Sequence, residues 1–493
     1  MWNWIKKYRG EVILGCLLVY IAFLLFYNLW VQSLWIDEWF SSYVAKKMSI
    51  EGFYKSRYFL YEWLQALSFK FAGISDFTAR FPSVIFQLWS VLLMYLIPYK
   101  LTKNKYIGLI SAAVFWFLYW ELAWGRDARF YSLIQFLFLW WLTLLTYWIE
   151  NKKIVYLSSS ILLAVIWILL HPFIFCLWAV IFLVILQQYN KAWNFKSLFL
   201  RKNLVFWWFI AWCLVGLVMY CLNYWMLWKV LTWSLLWNKP SYYISSYFVS
   251  YSKHIWIELW LLSVFWVLWM MRSLIKKKRR DVVLFLCPFL LFVYALCVKW
   301  YLIHFRYALL IFPLLIVSGV LFLFDMLTFV KSTTLRWVLI IMSLVASLMT
   351  ARFQFFPKVY YSFDSTSPQP DFKQAYASIP DWENVISWFP TLCDWYYWNR
   401  GNCMRAVRVD LIHDGDTDML ENSKNESYTW IPYMESLDDL DDGVYFFVMD
   451  NLTSKSNDIN KKLYQQLKDY WTIWYESWKT YNNVIVSVLA VEW

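Results

Sequence analysis

Long apolar runs dominate the first 350 residues of this chain and constrain its fold more than any other feature. Runs of about 20 mostly apolar residues can cross a hydrocarbon core of about 30 Å, and such runs recur throughout positions 11–350. Only 16% of the 493 residues are charged, whereas soluble domains average about 25%. The sequence therefore predicts a polytopic α-helical membrane protein with about 11 transmembrane helices.

The predicted spans alternate with short charged segments. They cover residues 11–31, 79–99, 106–123, 130–149, 154–170, 172–189, 204–222, 255–273, 282–300, 307–329 and 335–350. The Lys- and Arg-rich segments all fall on one side, which the positive-inside rule makes cytoplasmic. We therefore predict a multi-pass protein of the plasma membrane, with a cytoplasmic N-terminus and an extracytoplasmic C-terminal part.

The charge balance reverses near residue 350. Residues 1–350 carry 33 Lys and Arg against 12 Asp and Glu, whereas residues 351–493 carry 12 against 21. The second part alternates between strand-like and helix-like patterns. Strands are predicted at 384–389, 405–411, 444–450 and 483–493, and helices at 372–378 and 461–478. This organisation predicts a transmembrane domain over 1–350 and an extracytoplasmic α/β domain over 351–493.

Tryptophan is over-represented in this chain and glycine is depleted. The chain has 38 Trp and 11 Gly, whereas an average usage of about 7% would give roughly 35 glycines. A UGA codon that the organism reads as glycine, but that has been translated as tryptophan, would produce this exchange. We keep this hypothesis for positions such as Trp39 and Trp388, beside the alternative of a tryptophan-rich membrane surface.

Two adjacent carboxylates, Asp37 and Glu38, follow the first predicted span. They lie in a loop over 32–78 that the topology places outside, and within it residues 57–73 are predicted to form a helix in the membrane interface. Other charged and histidine side chains fall on the same face: Lys46, Lys47, Lys55, Arg57, Arg126, Asp127, Arg129, His171, His304 and Arg306. Charges beside apolar segments often line a functional cavity. The alternative is that Asp37 and Glu38 are solvated loop charges.

These residue types suit group transfer from a phosphate-linked donor. A carboxylate can take the proton from an incoming hydroxyl group, and we assign that role to Asp37. Arg and Lys side chains can neutralise a phosphate leaving group through charge-assisted hydrogen bonds. A position at the membrane surface is expected if a lipid tail anchors the phosphate there.

Five fragments, in order over residues 1–330, resemble a known family. They are "LWIDEWFSSYVA", "FAGISDFTARFPSVIF", "WGRDARFYSL", "HPF" and "HFRYALLIFPLL". Together they resemble the polytopic GT-C glycosyltransferases, especially the branch of protein O-mannosyltransferases and aminoarabinose transferases (glycosyltransferase family 39-like). The resemblance implies a GT-C type fold. It also implies inverting transfer of a sugar from a polyprenyl-phosphate donor to a hydroxyl group at the outer face.

The resemblance implies roles for individual residues as well. The acidic residue of the first outer loop is the catalytic base of the family, which corresponds to Asp37, with Glu38 beside it. The candidates for contacts with the donor phosphate or substrate are Arg57, Tyr58, Arg126, Arg129, Tyr131, His171, His304, Arg306 and Tyr307. This chain departs from the family around Tyr58, where it reads "SRYFLYEW" without the usual prolines.

Several residues keep structural alternatives. Arg80 is interpreted as an anchor at the membrane interface, and His171 as a cap of a tight hairpin or as a substrate contact. Cys393 and Cys403 are ten residues apart in the extracytoplasmic domain, which leaves both a disulfide and two free thiols open.

The predicted partners are a polyprenyl-phosphate sugar donor, a lipid, glycan or protein acceptor, and the lipid bilayer, with no nucleic acid. No cofactor is firmly implied, and no motif in the core loops predicts a tightly held metal. The acidic run over 414–418 could coordinate a divalent cation, with a solvated loop as the favoured alternative. The alternative function is a polytopic transporter or a lipid or glycan flippase. Transporters, however, tend to hold their substrate-site charges near the bilayer midplane. A receptor-like role would leave Asp37 without a function.

Overall fold

The structure is a computed structural model of the whole chain. It describes residues 9–34, 36–52, 58–151, 153–168, 261–276, 282–286, 289, 309–350, 355–356, 371–387, 390–397, 400–407, 433–434, 440, 443–450, 471–476 and 486–492. The predicted spans 172–189 and 204–222 lie outside these residues, as does most of 282–300.

The described part of residues 9–350 is helical. Its helices are α1 Arg9–Phe26, α2 Ile36–Glu51, α3 Phe59–Ala72, α4 Asp76–Thr102, α5 Lys105–Phe117, α6 Tyr119–Gly125, α7 Tyr131–Asn151, α8 Ile154–Ile168, α9 Leu261–Ile275, α10 Phe312–Leu327 and α11 Thr333–Thr350. A short π-helical turn covers Val282–Leu286. One large apolar core joins α1, α4, α5, α7 and α10.

Most described helices coincide with predicted spans. By length and composition, α4 and α7 could each cross a membrane, and shorter apolar helices occupy six other predicted positions. The predicted single span 106–123 is instead two helices, α5 and α6, because the backbone is extended at Leu118, with φ −62° and ψ 127°. The total of about eleven spans stays a prediction.

A tight elbow joins α3 to α4 and fixes the start of α4. Gly73 ends α3 with φ 78°, a conformation that favours glycine, and its N–H donates to the Phe69 carbonyl. Ser75 caps α4 in a reciprocal arrangement with Thr78, because each backbone N–H donates to the other residue's hydroxyl oxygen. The elbow places the first turns of α4 beside α3.

The described residues from 371 onward form a small sheet with two helices. We call this part the C-terminal domain, and its bounds at 351–493 stay a prediction. Its elements are helices α12 Phe372–Ser378 and α13 Pro390–Tyr396 and strands β1 Asn384–Ser387, β2 Asn402–Val407, β3 Tyr433–Met434, β4 Val444–Asp450, β5 Trp471–Glu476 and β6 Val486–Glu492. The sheet order is β3-β2-β1-β4-β6-β5. The pairs among β3, β2, β1 and β4 are parallel, whereas β6 pairs antiparallel with both β4 and β5.

Two predictions within this domain need correction. The helix predicted over 461–478 is wrong at Trp471–Glu476, which forms β5 and pairs with β6. That segment is rich in aromatic and β-branched residues, and its partner strand decides its structure. The strand predicted over 405–411 begins earlier, at Asn402. Cys393 and Cys403 form a disulfide that ties α13 to β2.

Candidate active site

The predicted acidic pair lies in the first turn of helix α2. Asp37 and Glu38 are the second and third residues of this helix, in a segment for which the sequence predicted no helix of its own. The structure describes the backbone of Asp37 but not its side chain. Ser41 follows one helical turn later, so the Cα atoms of Asp37 and Ser41 lie on the same face of α2.

The Glu38 side chain is fully buried and pairs with Arg80. Arg80 Nε donates to Glu38 Oε1 at 2.8 Å and Arg80 Nη2 donates to Oε2 at 2.8 Å, which is the bidentate arrangement. The backbone N–H of Ala128 also donates to Glu38 Oε1, at 2.8 Å. Glu38 therefore joins three segments that are far apart in the sequence: α2, α4 and the turn over 126–129.

Arg80 also organises the chain that leads into α2. Its Nη1 donates to the carbonyls of Leu29 at 2.9 Å and Gln32 at 2.7 Å, and its Nη2 donates to that of Ser33 at 3.0 Å. Its interpretation as an interfacial anchor is wrong, because its side chain is only 4% exposed and is paired. Removing one partner of such a buried ion pair costs about 3–5 kcal/mol.

Arg126 contacts the end of the first helix. Its Nη1 donates to the carbonyls of Leu24 at 2.9 Å, Leu25 at 3.2 Å and Tyr27 at 2.7 Å. The last carbonyls of a helix lack partners within the helix and carry partial negative charge, so a buried guanidinium group stabilises them. This contact fixes the 126–129 turn against α1.

Arg129 faces α2 and a pair of stacked rings. Its Nη1 donates to the Ser41 hydroxyl at 2.8 Å, and its guanidinium carbon lies 5.3 Å from the ring centroids of both Tyr58 and Phe130. The Tyr58 and Phe130 rings stack with centroids 4.0 Å apart, and the buried Tyr131 ring packs against Phe130 at 4.5 Å. The structure thus brings Tyr58, Arg129 and Tyr131 together beside α2.

Helix α3 adds polar residues that the sequence interpretation passed over as scattered. Tyr61, Glu62 and Gln65 are fully buried. The Tyr61 hydroxyl lies 2.7 Å from the Ser83 hydroxyl, and Gln65 Nε2 donates to the carbonyls of Ala79 at 2.8 Å and Ala128 at 3.4 Å. Burial raises the pKa of Tyr61 well above its usual value. The spacing of 61, 62 and 65 on one helix face was the available signal.

The opposite face of α3 borders an apolar groove against α4, with a volume of about 450 Å³. Its lining is almost entirely apolar and includes Leu64, Leu67, Phe71, Phe77, Phe81 and Phe86. The same two helices carry Tyr61, Gln65, Arg80 and Ser83 on the side of the polar network. An apolar groove and a charged network therefore lie on the two sides of one helix pair.

The remaining predicted site residues, Arg57, His171, His304, Arg306 and Tyr307, lie outside the described residues. Within the part of the chain that the structure describes, no three His, Cys, Asp or Glu side chains are grouped as ligands for a metal ion. Asp127 is buried within the 126–129 turn, between the two predicted arginines.

Comparison with solved structures finds this fold in crystal structures of ArnT from Cupriavidus metallidurans. The form bound to undecaprenyl phosphate aligns with a TM-score of 0.55 at 12% sequence identity, over 96% of this chain and 97% of that chain. The apo form aligns with a TM-score of 0.53 at 12% identity and the same coverage. No protein-family model and no curated protein matches the sequence. This likeness shows that the chain has the fold of these ArnT structures.

Proposed function

We propose that this chain is a membrane glycosyltransferase. It would move a sugar from a polyprenyl-phosphate donor to a hydroxyl acceptor on a lipid, glycan or protein at the outer face of the membrane. One observation carries the proposal. The ion pair of Glu38 with Arg80, together with the bond from Ala128, joins the helix that bears Asp37 to the turn that bears Arg126 and Arg129. The helix that carries the candidate base and the turn that carries the candidate phosphate ligands are thus joined by one buried network.

In this proposal Asp37 is the general base. It takes the proton from the acceptor hydroxyl while that oxygen attacks the anomeric carbon of the sugar. The bond from that carbon to the phosphate oxygen breaks with inversion, and the electron pair leaves with the lipid phosphate. Glu38 has a positioning role, because both of its carboxylate oxygens already accept hydrogen bonds from Arg80 and Ala128.

Cationic groups neutralise the departing phosphate. Arg129 donates to the Ser41 hydroxyl, and Ser41 follows Asp37 by one turn of α2. Arg126 contacts carbonyls at the end of α1 and holds this turn in place. We extend the set of donor and substrate contacts to Tyr58 and Tyr131 and, from the sequence, to Arg57, His171, His304, Arg306 and Tyr307.

A lipid-linked donor suits this arrangement. The similar ArnT structure is bound to undecaprenyl phosphate, which supports the same chemical class for this chain. The apolar groove between α3 and α4 lies beside the charged network, so a ligand with an apolar tail and a phosphate head would match both surfaces. We place the site at the outer face from the predicted eleven-span topology.

Asp37→Asn tests the base directly. In cells that lack the native gene, this variant is expected to accumulate the lipid-linked sugar and lose the glycan product, because the amide cannot accept the acceptor's proton. The matched control is Glu51→Gln, at the exposed end of the same helix, which should restore the wild-type pattern. The measurement is mass spectrometry of lipid-linked sugars and surface glycans. Normal transfer by Asp37→Asn would overturn the proposed mechanism.

A further inference from the structure

The C-terminal domain packs directly on the 32–78 loop. One apolar cluster combines side chains of α2 and α3 with side chains of α12, α13 and the sheet. Its members include Tyr43, Val44, Phe69, Phe372, Leu392 and Phe446. Helix α2, which bears Asp37, therefore shares an apolar core with the C-terminal domain, although the sequence predicts two separate domains.

Polar contacts concentrate on the short segment just before α2. The backbone N–H of Leu34, a fully buried residue, donates to the Tyr396 hydroxyl at 2.7 Å. The Ser33 hydroxyl donates to Asp371 Oδ1 at 3.0 Å and accepts from the Lys373 N–H at 3.0 Å. Residues 33 and 34 are thus bonded to α13 and to the start of α12.

The other end of the loop is bonded to the same domain. Lys373 Nζ donates to Asp76 Oδ2 at 2.8 Å and to the Trp30 carbonyl at 2.9 Å. Asp76 begins α4, one turn before Arg80. Because Arg80 holds the carbonyls of Leu29, Gln32 and Ser33 from the opposite side, segment 29–34 lies between α4 and the C-terminal domain.

Tyr396 is part of the electrostatic environment of this network. Burial raises the pKa of its hydroxyl well above the ordinary value, and the nearby Asp76 carboxylate raises it further. The hydroxyl therefore stays neutral at physiological pH. Tyr396 lies three residues after Cys393, whose disulfide with Cys403 ties α13 to the sheet.

We propose that the C-terminal domain positions the catalytic loop, and that Tyr396 is the positioning residue which fixes the backbone at Leu34, three residues before Asp37. This inference rests on the proposed function for its effect on turnover. The contact with the backbone of Leu34 holds whatever reaction the site performs, so it can be measured separately. Tyr396 acts through the loop and does not touch the reacting atoms.

The experiment compares Tyr396→Phe with Tyr397→Phe in the full-length protein. Tyr397 is a matched control, because its hydroxyl also accepts from a backbone N–H, that of Glu383 at 3.0 Å, but within the C-terminal domain. Hydrogen exchange is measured at the Leu34 amide, and kcat and donor KM are measured for sugar transfer. Leaving the Leu34 N–H without an acceptor costs enough free energy that we expect at least about a fivefold change in its exchange rate and in kcat.

Tyr396→Phe is expected to speed exchange at Leu34 and to lower kcat with little change in donor KM, whereas Tyr397→Phe should leave both at wild-type values. Equal exchange at Leu34 in the two variants would overturn the inference. Equal loss of kcat in both variants would reduce the effect to general stability and would also overturn it. If the wild-type protein transfers no sugar, the proposed function fails, and the exchange comparison alone decides whether Tyr396 positions the loop.

Discussion

Two buried carboxylates, Glu38 and Glu121, are held by different chemistry. Glu38 pairs with the guanidinium group of Arg80. Glu121 lies deeper among the helices, where Gln87 Nε2 donates to its Oε2 at 3.0 Å and Gln135 Nε2 donates to its Oε1 at 3.0 Å. One network thus balances a negative charge with a positive one, whereas the other surrounds a carboxyl group with neutral amides.

The two networks also join different parts of the chain. The Glu38 network connects the backbone before α2 to α4 and to the 126–129 turn. The Glu121 network joins α4, α6 and α7, and Gln135 Nε2 also donates to the Leu309 carbonyl at 3.0 Å. The loop near the candidate site is thus fixed by a paired charge at Glu38, whereas the contact among α4, α6 and α7 at Glu121 uses amides. The first arrangement should tolerate substitution far less than the second.

The largest effect is expected from Glu38→Gln. The amide keeps the size of the side chain but leaves the buried Arg80 charge without its counter-charge, at a cost of about 3–5 kcal/mol. Thermal unfolding in detergent should show a large drop in the unfolding midpoint, together with poor recovery of folded protein. Glu51→Gln removes an exposed charge from the same helix and should cost almost nothing. If the two variants were equally stable, the Glu38 network would not fix this loop.

A smaller effect is expected from the Glu121 network. Glu121→Leu removes the acceptor of the Gln87 amide and should cost about 1–3 kcal/mol, the penalty for an unsatisfied buried donor. Glu121→Gln should cost less, because the new amide oxygen can still accept from Gln135. Once the Gln87 amide turns over, the new N–H can donate to Gln87 Oε1. That oxygen has no hydrogen-bond partner among the described residues. Thermal unfolding ranks the two variants. A larger loss of stability in Glu121→Gln than in Glu121→Leu would contradict the claim that amide hydrogen bonds stabilise this network.

Local patterns in the sequence predicted the helices better than the contacts between them. The bilayer thickness sets the length of each apolar run, so α4 and α7 fall within three residues of the predicted boundaries. The pairing of Glu38 with Arg80 joins residues 42 positions apart, and no local pattern encodes it. The same holds for β5, whose structure depends on its partner β6. The contact between Tyr396 and Leu34 spans 362 positions, and no local sequence pattern predicts it either.

Two unusual backbone features coincide with tryptophan positions. The break between α5 and α6 at Leu118 has no Pro or Gly nearby in the sequence, but Trp116 and Trp120 flank it. Trp382 has φ 71°, in the left-handed region that favours glycine. Glycine at these positions would explain a helix break and a turn in the ordinary way. Both observations favour the hypothesis of UGA codons read as glycine, and the gene's codons at 116, 120 and 382 decide it.

The smallest effect is expected from Trp382→Gly. Trp382 lies outside both carboxylate networks, so this variant gives a reference for the changes in unfolding midpoint expected at Glu38 and Glu121. A non-glycine residue in the left-handed region costs roughly 1–2 kcal/mol. Because glycine also loses more backbone entropy on folding, a net gain of about 1 kcal/mol is expected. The backbone bond from the Trp382 N–H to the Arg400 carbonyl is kept. Thermal unfolding of the full-length protein should show a small rise in the midpoint.

The comparison variant is Trp474→Gly, at a half-exposed tryptophan in strand β5 whose Nε1 donates to the Ser378 carbonyl at 2.8 Å. Glycine weakens a strand interior because it has no side chain to pack and loses more entropy, so this variant should be less stable than the wild-type protein. Opposite signs at two exposed tryptophans of one domain would tie the gain at 382 to its backbone angle. A loss of stability at both positions would mean that the Trp382 side chain itself stabilises the turn, and it would remove the structural support for glycine there.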